Sequence, residues 1–168
     1  MPIISTDILY RLSGGSGNTD PNASLGGVKS STAIGAGLHN LFDIVSSAES
    51  SAGDTEYRCF YVHNAHATLT MQNSVIWIQS NTTSADTSIE IGLGSSAVNG
   101  TEQTVANEST APTGVTFSAP ANQGAALSIG NIPPGEHKAV WVKRIVNASA
   151  SAYNNDSATI RCLCDTAA

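Results

Sequence analysis

Short runs of β-branched and aromatic residues, broken at close intervals by turn-forming residues, restrict this chain to a sheet protein. Thr87-Ser88-Ile89-Glu90-Ile91-Gly92-Leu93 alternates with period two and puts Ile89, Ile91 and Leu93 on one face. Val75-Ile76-Trp77-Ile78 is continuously apolar, as suits a strand covered on both sides. Glu56 to His63, His137 to Val146 and Ser157 to Cys164 are further strand signals, with weaker ones at Ile8–Leu12, Leu41–Ser46, Val115–Phe117 and Ala126–Ile129. Asn99-Gly100, Pro133-Pro134-Gly135 and Asn154-Asn155-Asp156 supply the turns between them. About eight or nine short strands at this spacing predict an all-β fold, an antiparallel β-sandwich of Ig-like or jelly-roll-like type. The one helix candidate is Ser31 to Phe42, weakened by Gly35 and Gly37.

The first 40 residues read differently. Residues 13 to 37 hold seven glycines and few large apolar groups. Fixing a residue costs about 1–2 kcal/mol, and this stretch has little apolar surface to offset that. The sequence therefore predicts an extended N-terminal arm over 1–40 and a β-sandwich over 41–168, within a single domain. Residues 94 to 114 form a second low-apolar stretch. Ser, Ala, Thr, Gly and Asn account for 88 of the 168 residues, so a serine near a histidine carries little information about catalysis.

The charge balance excludes several functions. Seven Lys and Arg against thirteen Asp and Glu give −6, the wrong sign for wrapping nucleic acid or docking on anionic lipid. No apolar run nears the ~20 residues of a membrane helix. The N-terminus lacks the charged and apolar regions of a secretory signal, which predicts synthesis in the cytoplasm. No Gly-x-Ser-x-Gly elbow and no Gly-Lys-Ser/Thr phosphate loop occurs. Cys59, His63 and His66, with Cys162 and Cys164, are the nearest approach to a metal set, and they converge only if Cys59 lies on a strand beside Cys162. A structural zinc needs about four ligands; Cys59, His63 and His66 make three with no fourth beside them, and Cys162 and Cys164 read as core, so the sequence predicts no metal, no cofactor and buried, reduced thiols. Asp20, Asn22, Asn154, Asn155 and Asp156 do not match a calcium loop and read as turn residues.

Four stretches resemble small virion structural proteins of tailed bacteriophages. They are Asn18–Gly27, Ala52–Cys59, Ile132–Gly135 with the strand ending Trp141-Val142-Lys143-Arg144, and Ala152–Ser157. None is a catalytic motif. The resemblance implies a non-enzymatic particle component located in the virion, most simply a capsid decoration (cement) protein that binds the major capsid protein as a homo-oligomer, a trimer for choice. The alternative is a tail, baseplate or head–tail subunit contacting a host-surface glycan. Ile3 and Ile4, before Asp7, are the candidate partner-contact residues of the arm, able to add a strand to a neighbour's open sheet edge.

Overall fold

The computed structural model describes residues 2–166. In chain order its elements are β1 (Ile8–Leu12), β2 (Gly26–Gly27), α1 (Ser47–Ala52), β3 (Asp54–Asn64), β4 (Met71–Ser80), β5 (Thr87–Leu93), β6 (Glu102–Thr104), β7 (Leu127–Ile132), β8 (His137–Val146) and β9 (Thr159–Thr166), with three single-turn 3-10 helices. A four-stranded antiparallel sheet, β1-β3-β8-β5, faces a three-stranded one, β7-β4-β9, and β2 pairs with β6 in a small ribbon. The expected all-β sandwich is what forms.

The two long apolar strands sit at the centre of the larger sheet because both their faces are buried. β3 and β8 pair from Asp54 opposite Val146 to His63 opposite His137. Their inward side chains, Phe60, Val62, Val140 and Val142, meet Ile89 and Ile91 of β5. Across the interface lie Met71, Ile76 and Ile78 of β4, Ile129 and Ile132 of β7, and Cys162 of β9. The opposite parity, Cys59, Tyr61, Ala139 and Trp141, forms a second cluster with Val105, flanked by Leu25, Tyr57, Val115 and Phe117. Loops and the small β2–β6 ribbon cover that outer face.

This outer cover overturns the expectation of an extended arm. β1 is a full member of the sheet, paired with β3 from Ile8 opposite Asn64 to Leu12 opposite Phe60. Residues 13 to 33 then fold back over the same subunit. Ser13, Ser24 and Ser30 are buried. The Ser13 hydroxyl donates to the Cys59 carbonyl (2.9 Å) and accepts from the Gly26 amide (3.1 Å). The Cys59 amide donates to the Ser24 carbonyl (2.8 Å), and the Tyr57 amide to the Glu108 carbonyl (2.7 Å). The cover thus completes the β3 edge that short β1 leaves open. Hydrogen bonds and close backbone approach hold it where large apolar groups are few. Gly26 has φ +95°, and a Cβ there would fall 1.8 Å from the Gln103 carbonyl oxygen.

Two of the corners between the sheets are tied to each other. Pro133-Pro134-Gly135 turns the chain from β7 into β8, with Gly135 at φ +78° and its amide donating to the Asn64 carbonyl (2.9 Å). The Asn64 side chain donates to the carbonyls of Leu69 (2.8 Å) and Ile132 (2.9 Å), fastening the β3–β4 corner to the β7 end. The helix lies elsewhere than expected. Residues 31–42 hold none, and α1 forms at 47–52, where Ser46 and Glu49 close a capping box and Gly53 (φ +78°) stops it.

Candidate functional site

The residues considered for metal chemistry do not come together. Cys59 points to the outer cluster and Cys162 to the inter-sheet core, so the four-stranded sheet separates them. All three thiols are free. Burial pushes Cys162 up to about 12 and raises Cys59 further still, which suits inert core groups. The His66 Nδ1 accepts from the amides of Thr68 (3.1 Å) and Leu69 (2.9 Å) and serves its turn. His63 lies on the outer face beside His137 of β8. The turn reading holds at Asp20, whose carboxylate caps the 3-10 turn at Asn22 (2.9 Å), but Asp156 accepts from the amides of Thr83 and Ser84 (2.8 and 2.9 Å) and ties its loop to a turn distant in sequence.

Of the three arm residues, only Ile4 faces out, with 56% of its surface exposed. Ile3 packs against the inter-sheet core, and its amide donates to the Thr166 hydroxyl (3.1 Å) at the end of β9. The Asp7 carboxylate accepts from the Ile4 amide (2.9 Å), and the Asp7 amide donates to the Ile4 carbonyl (2.9 Å), closing a 3-10 turn. In this subunit Ile3 and Ile4 are therefore part of a closed turn, not a free strand.

At the opposite end of β9 the sandwich is open, a feature that sequence periodicity did not signal. A cavity of about 660 Å³ lies between residues 37–47, the Thr82–Thr87 turn and residues 150–158, above Val142, Val146 and Ile160. Leu38 (47%), Ile44 (71%) and Tyr153 (53%) stand exposed there. An ion-pair network anchors one wall. Arg144 pairs with Glu56 and Asp43, while Arg58 pairs with Glu108. The Phe42 ring lies within cation–π reach of both guanidiniums, 4.9 Å from that of Arg144 and 5.4 Å from that of Arg58. Burial pushes the Glu56 carboxyl up, and Arg144 pulls it partly back. The carboxylates of Asp43, Glu56 and Glu108, and of Glu49, Asp54 and Glu56, gather here. The two arginines lie among them, so the network's evident work is to clamp Phe42 and its segment to the sheet.

No protein-family model matches the chain, and neither a curated protein nor a solved structure matches it. The surface itself is left to argue function.

Proposed function

We propose that this chain is a non-enzymatic structural component of a bacteriophage particle, a decoration protein that binds the major capsid lattice as a homo-oligomer. The observation that carries the reading is the open end of the sandwich, where Leu38, Ile44 and Tyr153 present apolar surface around a rigidly anchored wall. Exposed apolar groups grouped on one surface mark contact sites. A lattice multiplies each modest contact through avidity. The sequence resemblance supports the particle assignment.

The test is co-sedimentation of purified protein with capsids that lack it. Ile44→Asp combined with Leu38→Ser is expected to abolish binding while the protein's melting temperature stays near that of wild type. Binding undiminished in this variant, or absent in wild type, overturns the reading. The tail or baseplate alternative draws on Tyr153, an exposed aromatic beside a cavity within the usual 300–1,000 Å³ of small-ligand sites. A saturable glycan-array signal lost in Tyr153→Ala would favour it.

A further inference from the structure

The outer face of the large sheet gathers two cations, Arg11 and Lys29, and two histidines, His63 and His137, with no ion-pair partner among the described residues. Strand register places Leu9, His63 and His137 in one row across β1, β3 and β8, and Arg11 and Tyr61 in the row beside it. Outward parity puts Arg11, His63 and His137 on the same side as Tyr61, and facing side chains in such rows lie about 5 Å apart. The Tyr61 and His137 rings meet edge-on at 4.8 Å. Tyr61 hydrogen-bonds the Gly27 carbonyl and Arg11 the Ser31 carbonyl, so the segment carrying Lys29 crosses directly over this spot.

Among the described residues, no ion pair involves Arg11, Lys29, His63 or His137. The neighbouring carboxylate, Glu102, is committed to Ser95, Ser96 and Gln103. Glu136 meets His63 through its carbonyl (3.1 Å). Lys138 is spent on the carbonyls of Gly94 and Ser96. Two nitrogens of the group, Arg11 Nε and His137 Nδ1, are buried and have no hydrogen-bond partner among the described residues. The chain has only seven Lys and Arg and a net charge of −6. Arg11 and Lys29 thus stand beside two neutral imidazoles with no counter-charge, and an anion joining them would pair with both cations and favour protonation of the rings.

We propose that Arg11, Lys29, His63 and His137 form a binding site for a small oxyanion, either a free sulfate- or phosphate-like group or a carboxylate from a neighbouring subunit. The site does not depend on the particle reading above. Burial, with Lys29 beside both rings, keeps His63 and His137 below the ordinary histidine value, His137 down at about 4. A bound anion favours the protonated rings, so affinity rises as pH falls.

Sulfate is the probe, because it stays dianionic over this range. Full-length protein is titrated at constant ionic strength set with chloride, which holds screening fixed. Imidazole resonances are followed by NMR. Saturable shifts at both His63 and His137 are expected, with the apparent His137 pKa moving up from about 4 toward 6.5. Lys29→Gln changes a half-buried surface side chain and is expected to weaken binding by about five-fold, the upper end for one exposed charge pair. Arg11→Gln, with folding checked by its melting curve, serves as the second variant. Sedimentation separates the sources. If sulfate shifts the protein toward monomer, the native anion is a subunit carboxylate. If sulfate saturates without changing the oligomer, the native anion is free, and both outcomes support the site. Shifts that grow linearly up to about 100 mM, or that are identical in Lys29→Gln, overturn it.

Discussion

Asn64 shows how much of the fold one polar side chain can hold. It is buried, its amide serves the Leu69 and Ile132 carbonyls, and its Oδ1 accepts from the His66 amide (3.0 Å). Asn64→Ala strands those groups at the junction of the two sheets. A loss of about 2–3 kcal/mol is expected in urea unfolding, since each unsatisfied buried group costs about 1–3 kcal/mol. Trp141 makes the complementary case for packing. It is fully buried in the outer cluster, and Trp141→Ala is expected to cost about 3–5 kcal/mol by the same measurement. The two positions were unequally legible in sequence. An aromatic flanked by Val140 and Val142 in a strand signal announces a core residue. Asn64 reads as an ordinary turn former, because its carbonyl partners lie five and sixty-eight residues away.

At the scale of elements, periodicity located the strands, since their alternation follows directly from which faces are buried. β3, β5 and β8 fall within a residue or two of their sequence signals. Periodicity failed where order does not come from apolar side chains. For the 13–33 segment the sequence predicts an arm, because the segment shows few apolar groups to bury. Its order comes instead from buried serines and from glycines that let backbones touch. The 47–52 helix escaped for a related reason: its signal is the Ser46–Glu49 capping box, not an apolar stripe. Gly26→Ala tests the glycine argument. A Cβ 1.8 Å from a backbone oxygen at φ +95° must push β2 off β6. A destabilisation of at least about 2 kcal/mol is expected, combining backbone strain with the clash, whereas Gly15→Ala, with nothing within 4 Å of its Cβ, is expected to cost less.

For the whole molecule, acid is the revealing perturbant. Burial first, then Lys29 and His63, depresses His137 to about 4 from 6.5. The unfolded chain takes up this proton before the folded one does, so this contribution is complete above pH 6.5 and is lost as pH falls to about 4. Glu102 adds a later stage. Burial alone would raise its carboxyl, but hydrogen bonds from Ser96, Ser95 and Gln103 outweigh it and bring it from 4.5 to about 2. That stability is present above 4.5 and is lost as pH drops through about 2. Urea midpoints across pH are expected to fall in two steps, with His137→Gln shrinking the first and Glu102→Gln removing the second. Between them, the loop cover and the sandwich it protects have different thermodynamic characters. Lifting the cover uncovers Trp141, Tyr61 and Cys59 along with backbone and serine hydroxyls, while parting the sheets exposes the larger cluster of Phe60, Ile76 and Val140. The first opening exposes the smaller apolar cluster and should therefore carry the smaller heat-capacity change and the shallower denaturant slope of the two. Hydrogen exchange would then resolve one subunit into two cooperative units whose boundary runs through the hydrogen bond from Cys59 to Ser24.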